Sequence, residues 1–401
     1  MVDRHNQEPH GGIQVQSAEV PMLLFECLFW SVILLLGWTF LAFPLLTVTL
    51  GWRARRSDPG GAVPSSVSIV MAAHNEEPCI AEKLHHLLAF SDDYERFEIV
   101  VVSDGSTDRT EVIARSFESK RVRVLASPRW LGKNRALDEG VKLATGEILV
   151  FMDVSGHLRP GCLEKLLAPF SDPRVGCVGG HVAYAASGRE HGAFRAFKWV
   201  DRYMKLGESA MGFVPAVSGA IHALRSPIYQ PTAPSSTRDV VDPVQAVREG
   251  YRVVYAADAI LVEPEQDPAP MLFSARARMT ARGMSSSATA LRELRSARSA
   301  TAIGIFASHK LLRWWLWLPM LAVLSSSIAL ASSSPFYAAV AGVQCLGYGL
   351  GALGLILRDR APGVLLGPAF LLLQSGAMLA GTWSWAMGRE RENWVRGTGH
   401  T

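Results

Sequence analysis

Apolar and polar positions along this chain fall into two regimes. In the first, charge disappears over long stretches. No charged residue occurs from Cys27 to Leu50 (24 positions), from Trp314 to Leu357 (44) or from Ala361 to Gly388 (28). A bilayer crossing takes about 20 predominantly apolar residues. These stretches therefore predict one, two and one spans, four in all, and buried core helices of such length are the weaker reading. In the second regime, from about Ser66 to about Ser308, short apolar runs alternate with amphipathic segments. VSIVMAA (Val67–Ala73), EIVVVS (Glu98–Ser103), VRVLAS (Val122–Ser127) and EILVFMD (Glu147–Asp153) predict strands. Helices are predicted near 79–90, 110–118, 134–143 and 161–170. Such βαβα alternation predicts a mostly parallel sheet with helices on both faces. The later half is less regular, with a strand near 175–182, a long helix near 194–210 and an apolar run over 250–263.

The chain divides accordingly. A polar N-terminal tail (1–21) precedes a membrane helix (22–51) and an Arg-, Pro- and Gly-rich linker (52–65). An α/β domain (66–273) leads to an arginine-rich segment (274–310), then about three membrane helices (311–388) and a C-terminal tail (389–401). Arg53, Arg55 and Arg56 follow the first apolar stretch where a signal peptide would need a cleavage site. They favour cytoplasmic placement of the α/β domain. Arg358 and Arg360 agree. Arg389, Arg391 and Arg396 do not, because four spans return the C-terminus to the N-terminal side. Arg276, Arg278 and Arg282 read either as anchors on an interfacial helix or as an approach to a phosphate.

Composition narrows little further. The net charge of +4 and the absence of a long basic run do not argue for nucleic acid. Five scattered cysteines without a CxxC pair fit a reducing compartment and neither a disulfide framework nor a zinc site. The GxGxxG at Gly349–Gly354 falls inside a predicted span and not between a strand and a helix, and His74, His85, His86, His157 and His181 form no metal-ligand spacing. Gly347 and Gly351 form a GxxxG pair inside a predicted span, which would suit a homo-oligomeric contact or be incidental.

Three carboxylates stand where chemistry is expected. Asp104 and Asp153 each follow a buried apolar run, at the sheet edge where α/β proteins bind ligands. Asp239 precedes a helical stretch, with Asp242 three residues on. Each taken alone reads equally as a turn or cap residue.

Taken together, VSIVMAAHNEE, EIVVVSDGSTDRT, GKNRALDEGVKLATGEILVFMD, DPRVGCVGGHVAY, SGAIHALRS and the Asp239 block resemble the family 2 inverting glycosyltransferases of GT-A fold. The resemblance covers about Ser66 to Gly283 and is strongest to the membrane-embedded branch of hyaluronan, chitin, cellulose and poly-N-acetylglucosamine synthases. It implies an α/β GT-A domain with a mostly parallel sheet, joined to about four transmembrane helices. It also implies roles. Ala72, His74, Asn75 and Glu76 would form the first nucleotide-facing loop, with Glu76 on the uridine or ribose. Asp104 would read the uracil, Gly132 and Lys133 would lie near the diphosphate, and Asp153 would bind a divalent metal (Mg²⁺ or Mn²⁺). Asp239 would be the catalytic base, and Arg278 would touch the diphosphate or the acceptor.

The chain also departs from the family pattern. Ser155 stands at the second acidic place of the DxD motif, a weaker, neutral metal ligand. Arg238 stands where an acidic residue often precedes the base, and its charge would depress the pKa of Asp239 if the two side chains approached. Asp138 replaces the Asn that closes the Gly-Lys loop. The Trp of the arginine motif is missing from ARARMTARGM, which puts processivity in doubt.

The resemblance implies a plasma (inner) membrane enzyme with a cytoplasmic catalytic domain. It would pass sugar from a nucleotide-sugar donor, taken to be UDP-linked, to a polysaccharide or lipid-linked acceptor, with membrane lipid as its other partner. The rival from another class is a catalytically inactive, membrane-anchored nucleotide-binding or scaffold protein on a transferase fold.

Overall fold

The structure is a computed structural model describing residues 16–54, 64–184, 192–263, 269–357 and 360–389. Residues 1–15 of the expected tail, Arg55 and Arg56 of the linker, Arg358, and Arg391 and Arg396 lie outside the described residues. The described residues form two compact units, one within 1–42 and 315–376, the other within 43–314 and 377–401.

Strands and helices of the larger unit alternate as β1 (Ser66–Ala73), α3 (Glu77–Leu88), β2 (Arg96–Asp104), α4 (Thr110–Arg115), β3 (Val122–Ser127), α5 (Lys133–Val141) and β4 (Ile148–Met152). Then follow β5 (His157–Leu158), α6 (Cys162–Leu167), β6 (Val175–Tyr184), α7 (Gly192–Ala210), β7 (Ile221–Arg225), α8 (Arg238–Arg248) and β8 (Arg252–Glu263). The unit continues through α9 (Ala269–Ser296), α10 (Ala300–Phe306) and the short α11 (Leu312–Trp314). The eight strands form one sheet in the order β3-β2-β1-β4-β7-β6-β8-β5. The first four run parallel, as expected. Beyond them the sheet is mixed, because β7 enters antiparallel between β4 and β6 and β5 pairs antiparallel with β8. β7 has only five residues and carries His222 and Arg225, so its apolar signal is too short to announce a strand.

Alternation sorts the side chains. Val67, Ile69, Met71 and Ala73 of β1, with Ile148, Val150 and Met152 of β4, join a core that includes Ile80, Leu84 and Leu87 of α3 and Leu163 and Leu166 of α6. Val70, Leu149 and Phe151 point to the opposite face. They join Leu137 of α5, Met204 of α7, Val240 and Val244 of α8, Leu294 of α9 and Phe306 of α10. Both faces of the parallel strands are thus buried, which explains their unbroken apolar runs.

The end of the first apolar stretch belongs to this unit. α2 (Phe43–Ala54) crosses α7 with the backbones nearly touching. A Cβ at Gly207 would lie 1.8 Å from the Thr47 carbonyl oxygen, so any side chain there forces the helices apart.

In the smaller unit, α1 (Gln16–Gly37) packs with α12 (Trp317–Ala329) and α13 (Pro335–Leu357) through Phe29, Val323, Leu330 and Tyr337. Leu34 (72% exposed), Val343 (71%) and Ile356 (75%) face outward, as side chains in contact with lipid would. Gly351 and Gly354 of α13 take the backbone of α14 (Gly363–Ala386) at Pro368 and Leu365, while a side chain at Gly347 would meet nothing within 4 Å. One glycine of the GxxxG pair is therefore used within the chain.

By length and composition, three continuous helices could cross a membrane: Pro21–Arg53, Pro335–Leu357 and Gly363–Ala386. A fourth span is available only if Ala300–Trp314 and Trp317–Ala329 count as one broken crossing. Of the two spans expected between Trp314 and Leu357, α13 is continuous, and the other corresponds to the bent pair, which begins before the charge-free stretch, at Ala300. The charge-free stretch is divided unequally, with 13 residues in α12 and 23 in α13. Thirteen helical residues reach only about 20 Å.

Candidate active site

The carboxyl ends of β1, β2 and β4 lie side by side, and the loops leaving them brace one another. His74 donates from Nδ1 to the Asp104 carbonyl at 2.7 Å. Asn75, at a left-handed φ of 54°, accepts the Thr107 amide on Oδ1 at 2.8 Å; Asn tolerates that region better than most residues. The Glu76 amide donates to Thr110 Oγ1 at 2.7 Å, and the Glu77 amide to Asp108 Oδ2 at 3.1 Å. Glu76 itself is buried and Ala72 half-buried.

Asp104 is 2% exposed. Its Oδ1 accepts the Leu131 amide at 2.6 Å and its Oδ2 the Gly132 amide at 2.9 Å. The carboxylate expected at the base thus shapes the loop that leads to Lys133. Gly105, at φ 60°, leaves room for that loop, since a Cβ there would lie 2.4 Å from the Trp130 nitrogen.

Lys133 opens α5 and reaches across the cleft. Its ammonium donates to Asp153 Oδ1 at 2.5 Å and to the Gly219 carbonyl at 3.1 Å. Asp153 is held in turn by its own amide, which donates to the Ala220 carbonyl at 3.0 Å. A Cβ at Gly219 would stand 4.0 Å from Asp239 Cβ, and the Val217 amide donates to the Asp239 carbonyl at 2.9 Å. The antiparallel entry of β7 therefore carries the 217–220 turn to Asp153 on one side and to the first turn of α8 on the other. Lys133, Asp153 and Asp239 converge on this turn. Arg278 does not join them through any hydrogen bond among the described residues. It lies half-buried on α9, one turn before Arg282, which donates to the Ser236 carbonyl at 3.1 Å.

Among the described residues, no group of three or more His, Cys, Asp or Glu side chains could hold a metal ion. Asp153 is one carboxylate, with half-buried Ser155 two residues on. This donor set fits a cation shared with oxygens of a bound ligand and not an all-protein cage.

Behind Asp239 lies a buried network. The guanidinium of Arg238 bonds groups other than its neighbour's carboxylate, so the condition for depressing the Asp239 pKa is not met by an ion pair between them. Arg238 donates to Asp242 Oδ1 at 3.0 Å, and to Asp138 and the Tyr229 hydroxyl. It also lies over the Tyr229 ring at 4.2 Å and the Phe151 ring at 5.5 Å. Asp242 Oδ2 meets His222 Nε2 at 2.9 Å, and His222 donates from Nδ1 to the Ser218 carbonyl at 2.9 Å.

Lys83 on α3 adds a cation that the sequence motifs do not include. It is 4% exposed, and its ammonium donates to the carbonyl of Gly156, just after Ser155. Burial pushes its pKa down to about 8, and the Asp153 carboxylate counters part of that shift. The available signal was a lysine between Ile80, Leu84 and Leu87 on the apolar stripe of α3. No sequence signal marks His222 or Tyr229.

Residues 68–227 match the family model described as Glycosyl transferase family 2. Over 205 residues the chain is 25% identical to the Glycosyltransferase AglE of Haloferax volcanii, covering 49% of this chain and 66% of that protein. Over 105 residues it is 33% identical to the 4,4'-diaponeurosporenoate glycosyltransferase of Staphylococcus aureus, covering 25% of this chain and 27% of that protein. The chain thus spans from about a quarter to about two thirds of the length of such relatives. Among solved structures, the mannosyltransferase PcManGT from Pyrobaculum calidifontis, in complex with GDP-Man and Mn2+, superposes with a TM-score of 0.64. That likeness covers 90% of this chain and 100% of the other at 20% identity, and it is a likeness of fold.

Proposed function

We propose, from the premise that residues 68–227 are a family 2 glycosyltransferase domain in a GT-A fold, that this protein is a membrane-bound inverting enzyme. It transfers a hexose from a nucleotide-sugar, UDP-linked by preference, to a glycan or lipid-linked acceptor. One observation carries the reading: Lys133 spans from Asp153 to the Gly219 turn, with Asp239 on the other side of that turn. A cation, a carboxylate suited to a shared metal and a second carboxylate are thereby gathered at the ends of the parallel strands.

The chemistry follows from the donor's charge. Diphosphate gains negative charge as the glycosidic bond breaks, and a preorganised cation stabilises it most in the transition state. Lys133 supplies that cation from the protein. Asp153 and Ser155 would hold a divalent metal together with diphosphate oxygens, and the bound metal supplies Lewis-acid stabilisation of the leaving group. Asp239 takes the proton of the acceptor hydroxyl as its oxygen attacks the anomeric carbon from the face opposite the diphosphate. One displacement inverts that centre. The mannosyltransferase similar in fold, in complex with GDP-Man and Mn2+, supports the shared-metal reading and adds GDP-sugars to the donors worth testing. The candidate spans and their outward apolar side chains support a membrane setting.

The test is release of nucleoside diphosphate by purified membranes given a panel of UDP- and GDP-sugars, with and without EDTA. Release from one donor, abolished by EDTA, is the expected result. Donor-independent background under every condition, acceptor lipids included, would overturn the reading.

A further inference from the structure

Two residues that depart from the family pattern meet each other. Asp138 lies on α5, five positions after Lys133. Arg238 opens α8, next to Asp239. They stand 100 positions apart and are joined by a buried ion pair, with Arg238 4% and Asp138 15% exposed. The Tyr229 hydroxyl bonds both, donating to Asp138 and accepting from Arg238.

The pair closes a circuit. From Lys133 the path runs to the Gly219 carbonyl, then from the adjoining Ser218 carbonyl through His222 to Asp242. Asp242 leads to Arg238, and Arg238 returns to Asp138 on the helix that Lys133 begins. Every link is a side-chain hydrogen bond or a peptide neighbour except the last, which α5 itself supplies between Asp138 and Lys133. Asp239 sits inside this circuit, held by the 217–220 turn at its carbonyl and covalently bound to Arg238. A buried charged network of this kind is a poor device for stability alone, because well-packed apolar residues of similar volume do as well or better. Its geometry gives a different return: a displacement of α5 cannot leave the first turn of α8 unmoved.

We propose that Asp138, Tyr229 and Arg238 are positioning residues that tie the donor loop at Lys133 to the base Asp239, so that an occupied donor loop sets the carboxylate for proton removal. This rests on Asp239 being the base. The predicted signature is a loss of kcat with donor affinity retained, because the network touches the reacting groups only through their neighbours.

The experiment compares the full-length protein in detergent with Asp239→Asn, Asp138→Asn, Tyr229→Phe and the Asp138→Asn/Tyr229→Phe double variant. UDP-glucose, UDP-N-acetylglucosamine and GDP-mannose serve as donors. Diphosphate release gives kcat and KM, titration calorimetry gives donor affinity, and a melt reports folding. Asp239→Asn should melt like the parent, Asp138→Asn and Tyr229→Phe should stay folded with a lower melting temperature, and all three should bind donor within about threefold. Their kcat should fall about tenfold or more, and the double variant should lose less than the product of the two, as coupled residues do. Should Asp138→Asn fail to fold, Tyr229→Phe, which removes a single hydroxyl, still decides the matter. If Asp239→Asn is inactive while Asp138→Asn and Tyr229→Phe keep the parent kcat, the positioning role is wrong and the base assignment survives. If Asp239→Asn turns over normally, the base assignment falls and the positioning role with it.

Discussion

The two halves of the sheet are held together over different sequence distances. From Ser66 to Asp153 the binding loops are joined by short-range bonds. His74 meets Asp104 across 30 positions, Asp104 meets Gly132 across 28, and Lys133 meets Asp153 across 20. Residues beyond Val175 also make much longer bonds, His181 to Tyr255 across 74, Arg238 back to Asp138 across 100 and His309 to Glu208 across 101, beside short ones such as His222 to Asp242 across 20. The first half is a series of βα units that each return beside the last, so local patterning dictates which loops meet. The second half depends on pairings that no local pattern encodes. The proposed donor residues Lys133 and Asp153 lie in the first half and the proposed base Asp239 in the second, and the Arg238–Asp138 bond joins the two halves.

That contrast can be broken experimentally. The largest effect is expected from Arg238→Met, which leaves Asp138 and Asp242 buried without their cation. A loss of about 3–5 kcal/mol of stability follows, visible as a large drop in melting temperature. In the donor half, Asp153→Asn should lower transfer by about 10²–10³-fold while leaving the melt near that of the parent; diphosphate release and calorimetry check both.

Lys83 gives an intermediate and pH-dependent effect. Its folded pKa of about 8 lies below the ordinary 10.5 because the ammonium is buried. Between those values the unfolded chain binds more protons, so stability rises with pH through that window. Below pH 8 the cost is fully present, about 3 kcal/mol. Lys83→Met should therefore raise the melting temperature at pH 7, less about 1 kcal/mol for the lost bond to Gly156. The gain should shrink as the pH is raised from 8 to 10.5, as melts across that range would record. The smallest effect is expected at the exposed Arg115–Glu111 pair on α4. Glu111→Gln should change the melting temperature only slightly, and less in high salt.

Legibility follows the same divide. The strands ending at Asp104 and Asp153 can be read because buried parallel strands are continuous apolar runs, and a carboxylate at their end interrupts the pattern conspicuously. Asp239, Lys133 and the first loop can be read only through the family resemblance. β7 cannot be read, being short and interrupted by His222 and Arg225. Arg238 and Asp138 each stand out as departures from the family pattern, but their 100-position separation hides that they are partners. Absence of charge does not report where a helix bends, so the break within Ala300–Ala329 is not legible in it. α12 shows that an apolar stretch can end in a helix too short to cross alone.

Asp153 and Asp239 are assigned separate work, one holding the donor and the other removing the acceptor's proton. Donor binding beside single-turnover transfer for Asp239→Asn, with Mn²⁺ present, tests that division most directly. The division predicts parental donor affinity with transfer slowed by about 10²–10⁴-fold. Transfer at the parental rate, or donor binding lost together with transfer, would contradict it.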